Sequence, residues 1–415
     1  MHKPLSLRKN FSWSLAGSLI SSGFRWLMLM VMTKMMDTEQ VGYYTLSLSI
    51  TNPIIMFSML QLRAVHVTDI RDEHRYGCYL GVRLLTNGVA ALVLIGVLAV
   101  LAGRYDGLVY GIIFIVFANK AIESTADITY AVLQKHERLD KVAKSTILRQ
   151  GAGAATLIGT LWLTNNLLLG VAAIGICWLA VLFLYDQKNV SVFETWKPRW
   201  NLQAYKSIIL AGIPLGITRG LISLNESIPR FFIEGHQGTS AQGIFSAMAY
   251  AMTVAYLCIE ALGYSAIARL ARYYNENPRA YVRLLFKVTA FAFLIGVVGV
   301  AITITAGRQI LSLLYTPEYA ENPEVFVWLM VLISGKMVSS MLNHGMNAAR
   351  YFKSQVPLNI LQLLITSGCC LWMIPLYGLK GAVWGMLVGM IFKIVGSIIV
   401  IKLALKQSNS IKNIL

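Results

Sequence analysis

Charge is what this sequence has least of. Only 13% of its 415 residues are Asp, Glu, Lys or Arg, against about 25% in soluble domains. A chain so poor in charge cannot cover a water-facing surface of its own size, so water is not its main solvent. Acidic residues are scarcest: 19 Asp and Glu stand against 36 Lys and Arg, a net charge of +17. An RNA-recognition, zinc-finger or P-loop spacing would turn that excess toward nucleic acid or nucleotide, and none occurs. No nucleic-acid partner is expected. Cysteines number five, Cys78, Cys177, Cys258, Cys369 and Cys370, in or beside apolar segments. Without paired spacing they read as small packing residues and not as metal ligands. Long polar connections are missing too, which leaves no room for a separate soluble domain. There is no nucleophile motif and no pair of carboxylates outside the apolar runs. No catalytic residue, cofactor or metal is therefore expected, and energy must come from ion gradients or from substrate supply.

What is present is apolar. Hydrophobic residues make up 56% of the chain and the mean hydropathy is +0.62. The runs are continuous over roughly 20 residues, the length of a helical span. Barrel strands would alternate in polarity over about ten, and a bilayer admits little else. Spans are predicted near 12–33, 41–60, 79–102, 107–131, 146–164, 167–186, 206–228, 241–267, 284–306, 325–346, 357–376 and 379–403, with a polar linker at about 187–204. The basic N-terminus leads into a first span too long for a signal peptide and without a small-x-small cleavage site. Lys and Arg in alternate connections number 23 on one side and 5 on the other. By the positive-inside rule both termini are cytoplasmic and the span count is even.

The halves resemble each other. Residues 82–97, VRLLTNGVAALVLIGV, and 282–297, VRLLFKVTAFAFLIGV, are identical at nine of sixteen positions. LAG at 15–17 recurs at 210–212, and the VGYYTLS that opens span two is echoed by QGIFSA from Gln242. All three matches pair span n with span n+6, and six spans per half give both copies the same orientation. The expected fold is all-α: a polytopic membrane protein of twelve transmembrane helices in two parallel-repeat six-helix bundles. The N-terminal bundle is read as 1–190, the cytoplasmic linker as 191–204 and the C-terminal bundle as 205–415. Transporters of this design bind substrate between the halves, near the midplane.

Charges inside spans cost about 2.5–3.5 kcal/mol each, so they face a cavity or a partner. Lys120 and Lys336 lie near the centres of repeat-mate spans four and ten. Arg25 and Arg219 follow the LAG glycines of spans one and seven by eight and seven residues. These four are the candidate substrate-binding cations; snorkelling to headgroups is the competing reading, strongest for the two arginines. Lys120, Glu123, Asp127 and Gln134 fall on one helix face, with Lys120 placed to pair with Glu123. The corresponding face of span ten carries Lys336, Ser339 and Asn343, with His344 beside them and no carboxylate. Glu260, midway through span eight, fits a proton carrier and a salt-bridge partner equally. His344 reads first as a hydrogen-bonded interior residue and second as a proton relay. Glu123, Asp127, Glu260, Asn343 and His344 are thus candidate coupling or cavity residues. Pro53 and Pro214 are candidate kinks.

A cavity lined by Lys and Arg suits phosphate or pyrophosphate. Six segments carry a family resemblance: VGYYTLSLS from Val41, VLQKHERLDKVAKSTILR from Val132, LAGIPLGI from Leu210, SIPRFFIE from Ser227, LLYTPEYAEN from Leu313 and IPLYGLKGAVWG from Ile374. In that order they resemble the polysaccharide-biosynthesis flippases, the Wzx-type O-antigen and capsule translocases of the multidrug/oligosaccharidyl-lipid/polysaccharide superfamily. The resemblance implies alternating access and the flipping of an undecaprenyl-diphosphate-linked oligosaccharide across the bacterial inner membrane. It implies a cationic central cavity, into which Arg25, Lys120, Arg219 and Lys336 would fit by their place in the repeat. Partners would be the lipid-linked substrate, the membrane and the glycan polymerase and export machinery. A multidrug or cation antiporter of the same superfamily is the alternative, followed by a membrane polysaccharide polymerase. The first would want acidic cavity groups and the second a large outer loop.

Overall fold

The computed structural model describes residues 5–69, 73–349, 351 and 354–412. Of the residues used above, Lys3, Arg71, Arg350 and Lys353, and the side chains of Arg8, Cys258 and Lys412, lie outside the described set. Among the described residues the elements are helices only. They are α1 Leu7–Met35, α2 Thr38–Ser58, α3 Leu62–Thr68, α4 Tyr76–Val100, α5 Gly107–Lys135, α6 Leu139–Thr164 and α7 Leu167–Val181. A π-helical turn, Leu182–Asp186, carries α7 into the short α8, Gln187–Val190. Then come α9 Leu202–Glu276, α10 Pro278–Leu314, α11 Pro317–Ala320, α12 Pro323–Ala348 and α13 Gln355–Lys412.

Nine helical stretches among the described residues are long and apolar enough to cross a bilayer. Two of them are broken. The 75-residue α9 leaves helical geometry at Gly238 (φ 85°, ψ 173°) and the 58-residue α13 does so at Gly378 (φ 61°, ψ −137°). A side chain would oppose both conformations, and glycine adopts them at little cost. The breaks fall in the gaps predicted between spans seven and eight and between spans eleven and twelve. Pro214, a candidate kink, stays inside α9, whose non-helical residue is Gly238. Pro53 sits inside α2, where the helix satisfies its own hydroxyls. Thr45, Ser47, Ser49 and Thr51 donate to the carbonyls of Gly42, Tyr43, Thr45 and Ser47 at 2.7–3.1 Å, so a hydroxyl-rich helix needs no water there. Among the described helices of 18 residues or more, α6 is the one without a stretch apolar enough to count as a membrane span, because it begins with Asp140, Lys141 and Lys144 and contains Arg149 and Gln150.

The chain forms two compact units, 1–227 and 228–415. In the first, α5 packs against α2, α3, α4 and α7, and α6 packs against α1 and α7. The opening stretch of α9 belongs to this unit, although the repeat read from the sequence assigns it to the second half. LAGIPLGITRG explains the attachment. Its glycines at 212, 216 and 220 recur every four residues along one helix face, which lets backbones approach closely. A Cβ on Gly212 would lie 2.7 Å from the Leu60 carbonyl oxygen, and one on Gly220 would lie 2.4 Å from the Phe57 ring. The end of α2 therefore rests on bare α9 backbone. In the second unit α12 packs against α10 and α13. Phe286, Phe293 and Ile304 of α10, like Leu92 and Val93 of α4, are exposed apolar side chains, as a lipid-facing surface requires.

One ion pair is sealed in the first unit. Arg149 of α6 and Asp186 of the π turn are 2% and 0% exposed, with Nη2 2.9 Å from Oδ2. Arg149 also donates to Ser145 Oγ at 3.4 Å and to the Tyr130 hydroxyl. The extra residue that a π turn inserts is a common device at functional positions, and here the turn ends on the carboxylate that holds Arg149.

Gly212→Val should lower the folded yield and the melting temperature of purified protein, by about 1–3 kcal/mol, because the obstructing atom is backbone; an unchanged melting temperature would refute the close contact. Arg149→Met and Asp186→Leu should each cost about 3–5 kcal/mol by stranding a buried partner, and the two together much less than their sum. Additive losses in thermal unfolding would show that the pair is not sealed.

Candidate functional site

The polar face of α5 points at cations. Lys120 Nζ lies 3.0 Å from Glu123 Oε2, the i,i+3 pair expected from the sequence. The other Glu123 oxygen takes Arg25 Nη1 of α1 at 3.3 Å. One turn on, Asp127 Oδ1 takes Arg63 Nη1 at 3.3 Å. Two further turns on, Gln134 Oε1 accepts Arg63 Nε at 2.8 Å. Arg63 also lies over the Tyr130 ring, 5.7 Å from its centroid. Each polar residue of the α5 face thus has a charged partner: Lys120 has Glu123, Glu123 also has Arg25 from α1, and Asp127 and Gln134 share Arg63 from α3.

Apart from Gln134, these groups line a cavity of about 230 Å³ inside the first unit. Its walls include Arg25, Arg63, Lys120 and Arg149 and, as acids, Glu123 and Asp127. Four cations against two carboxylates leave two positive charges, and one once Asp186 is counted against Arg149. Arg25 and Arg63 are the most open of the paired cations, with side chains 42% and 31% exposed; that of Lys120 is 18% exposed. An anion entering here meets Arg25, held on Glu123 by a 3.3 Å contact, and Arg63, whose Nη1 makes a 3.3 Å contact with Asp127 while its Nε stays on Gln134 at 2.8 Å.

Sequence reasoning did not single out two of the four cations, Arg63 and Arg149, as candidate cavity residues. Arg63 is carried inward by the bend at Leu60 and Gln61, both at positive φ (47° and 49°), which starts α3 as a separate helix. Such backbone is costly for side-chain-bearing residues, at about 1–3 kcal/mol each, and no residue preference in the sequence marks it. Arg149 is seated by the π turn, which is equally silent in sequence. A fifth cation lies behind the wall. Arg83 of α4 is 0% exposed, and none of its three guanidinium nitrogens has a hydrogen-bond partner among the described residues.

The remaining predicted residues lie elsewhere. Arg219 is exposed on α9 and is not among the residues of this cavity. Lys336, half-buried on α12, belongs to the second unit. There Glu260 of α9 meets His344 of α12, Oε1 to Nε2 at 3.5 Å, and accepts from Ser340 Oγ. Gly263 permits this approach, since a Cβ there would lie 2.2 Å from the His344 ring. Asn343 is half-buried next to His344. The structure therefore brings Arg25, Lys120, Glu123 and Asp127 together in one unit and Glu260 with His344 in the other. The cysteines Cys78, Cys177, Cys369 and Cys370 are free thiols, two of them buried.

Comparisons with known proteins agree with this architecture. The chain is 25% identical over 377 residues to the capsular polysaccharide biosynthesis protein CapF of Staphylococcus aureus, covering 90% of this chain and 94% of that protein. Its fold is similar to an inward-facing multidrug resistance MATE family transporter of the MOP superfamily, with a TM-score of 0.65 at 14% identity over 100% of this chain and 97% of that one. It is also similar to a MOP superfamily transporter from Pyrococcus furiosus whose binding pocket is described as reversed in polarity, with a TM-score of 0.67 at 12% identity over 97% and 95%. The family model described as polysaccharide biosynthesis protein matches residues 7–259. The chain is a multi-pass membrane protein with a transporter fold, and it belongs to the polysaccharide biosynthesis protein family.

Proposed function

We propose that this protein is a flippase that moves an undecaprenyl-diphosphate-linked oligosaccharide, a capsule or O-antigen precursor, from the cytoplasmic to the outer leaflet of the bacterial inner membrane. The observation that carries the reading is the first unit's cavity, where basic residues outnumber acidic ones four to two. A diphosphate is compact and multiply charged, and arginine binds it through paired donors. The lipid tail stays in the bilayer while the charged, sugar-bearing head crosses. Arg25 and Lys120 bind the head group at this cavity, and Arg219 and Lys336 serve the same head group in the second half of the repeat. Glu260 with His344, or the carboxylates Glu123 and Asp127, would couple ion movement to transport, with Asn343 as a polar lining residue.

The chain crosses the membrane twelve times, with the segments on either side of Gly238 and of Gly378 each crossing separately and both termini in the cytoplasm. The fold likeness to multidrug transporters favours a second reading as a drug or cation antiporter. The excess of basic residues in the cavity argues against it, because like charge repels a cation.

Lys120→Ala and Lys336→Ala should each reduce surface glycan export at least tenfold, a change of about 1.4 kcal/mol or more in the transport barrier, while membrane insertion stays intact. Lys120→Arg should retain more export than Lys120→Ala. Unchanged export in the alanine variants would remove these lysines from the site, and equal activity of Lys120→Arg and Lys120→Ala would argue against an anionic head group. Reporter tags on the two termini should both read as cytoplasmic, and an external C-terminus would overturn the even number of crossings.

A further inference from the structure

The first unit holds a second cavity, of about 380 Å³, where the end of α3, the start of α4 and the first turns of α9 meet. Its polar walls are Thr68, Asp69, Glu73, His74, Tyr79 and Ser207, with Val65 and Ile208 as apolar neighbours. No Lys or Arg is among the described residues that line it, so in charge it is the opposite of the cation-lined cavity. The proposed topology gives this end of the helices to the cytoplasm, where cargo enters.

Backbone contacts fix the pocket's shape. Asp69 Oδ1 accepts the Glu73 N–H at 3.1 Å, and Oδ2 accepts the His74 N–H at 3.3 Å and the Tyr79 hydroxyl at 3.2 Å. Lys135, the last residue of α5, donates to the Asp69 carbonyl at 2.6 Å. The α9 wall is held on α4: the Arg199 N–H donates to the Gly77 carbonyl at 2.9 Å, the Tyr205 hydroxyl donates to the Arg199 carbonyl at 3.1 Å, and bare backbone at Gly81 admits that hydroxyl. Within this frame His74 Nε2 is buried without a hydrogen-bond partner among the described residues. Glu73 is exposed and enters the turn through its backbone N–H.

Two carboxylates repel an anion here. The pocket offers acceptors for O–H donors, in charge-assisted and therefore strong hydrogen bonds. Beside them stand hydroxyls and an imidazole, which donate and accept, and apolar side chains. A sugar ring matches that mixture, since its hydroxyls donate and accept and its C–H face is apolar. The two cavities also share walls. Arg63 of α3 lines the first and Thr68 of α3 the second, about 8 Å apart along the helix axis. Consecutive residues of α5 hold both: Gln134 accepts from Arg63, and Lys135 donates to Asp69.

We propose that this second cavity is a sugar subsite, which takes an uncharged sugar ring of the head group on Asp69, Glu73 and His74 while the diphosphate lies in the cation-lined cavity. The inference rests on the reading of the cargo as a lipid-borne diphosphate oligosaccharide. It adds a selectivity that the cations cannot supply, because the two carboxylates discriminate against an acidic sugar at this position.

The test uses the full chain in lipid nanodiscs and two ligands. One is the lipid-linked oligosaccharide extracted from cells lacking this protein. The other is geranylgeranyl diphosphate, which has the diphosphate and a lipid but no sugar. Ser207→Phe fills the cavity from an exposed position, and Glu73→Gln removes one acceptor charge without touching the Asp69 carboxylate, so it stands in should Ser207→Phe fail to fold. Each should weaken binding of the oligosaccharide at least tenfold and leave that of geranylgeranyl diphosphate unchanged. Wild-type affinity for the oligosaccharide in both variants overturns the subsite. An equal loss for both ligands also overturns it, since the pocket then acts on the diphosphate or on the fold. Tighter oligosaccharide binding by Glu73→Gln overturns the uncharged sugar. Ethidium bound by the wild type and lost in Glu73→Gln gives the pocket to a cation and overturns the proposal, as does a wild type that binds no oligosaccharide. Should the wild type bind the oligosaccharide through Glu73 and Ser207 but not geranylgeranyl diphosphate, the diphosphate reading fails and the sugar subsite stands.

Discussion

The charges of α5 are the constraint from which the rest of the first unit follows. A helix that carries Lys120, Glu123 and Asp127 at membrane depth cannot face lipid, because each charge would cost about 2.5–3.5 kcal/mol. It must therefore sit inside a ring of other helices. It does so, packed by α2, α3, α4 and α7, with Arg25 brought from α1 and Arg63 from α3. The same demand explains why α6, which carries Lys141, Lys144 and Arg149, keeps Arg149 sealed against Asp186. Membrane helices gain little from hydrophobic association with each other, so pairing of charges and close backbone contact take over. The glycines of α9 that receive the end of α2 supply the second of these.

Much of this was legible in the sequence, for physical reasons that can be named. Helix positions follow from the length of apolar runs, and the gaps between predicted spans coincide with Gly238 and Gly378 even where no loop separates the helices. The α5 face was legible because residues 120, 123, 127 and 134 recur at helical spacing, and Lys120 meets a carboxylate while the other three meet cations. The partners were not legible. Arg63 and Arg149 lie close to predicted span ends, where a basic residue is ordinarily a cytoplasmic anchor. What moves them inward is backbone geometry: two positive-φ residues before α3 and a π turn after α7. Neither has a composition signature here, since Leu60 and Gln61 are not turn-forming residues. Pro214 stays inside α9, as a proline can within a membrane helix when neighbours satisfy the freed groups.

The duplicated halves have diverged in how they handle charge. In the first unit, carboxylates on α5 hold arginines from neighbouring elements. In the second, α12 carries Lys336 without a carboxylate in its own polar face, and the acid comes from α9 as Glu260 against His344. The VRLL arginines differ in the same way: Arg83 is buried and Arg283 exposed. A common ancestral helix pattern thus supports a charge network in one copy and a histidine–carboxylate pair in the other.

The central claim is that the cavity serves a lipid-borne diphosphate. The most direct measurement is translocation in proteoliposomes of a fluorescent prenyl-diphosphate oligosaccharide, followed by quenching from the outside, with ethidium efflux measured in the same vesicles. The account predicts that the purified protein accelerates movement of the diphosphate lipid and leaves ethidium unmoved. Transport of ethidium, with no acceleration of the lipid, would contradict it.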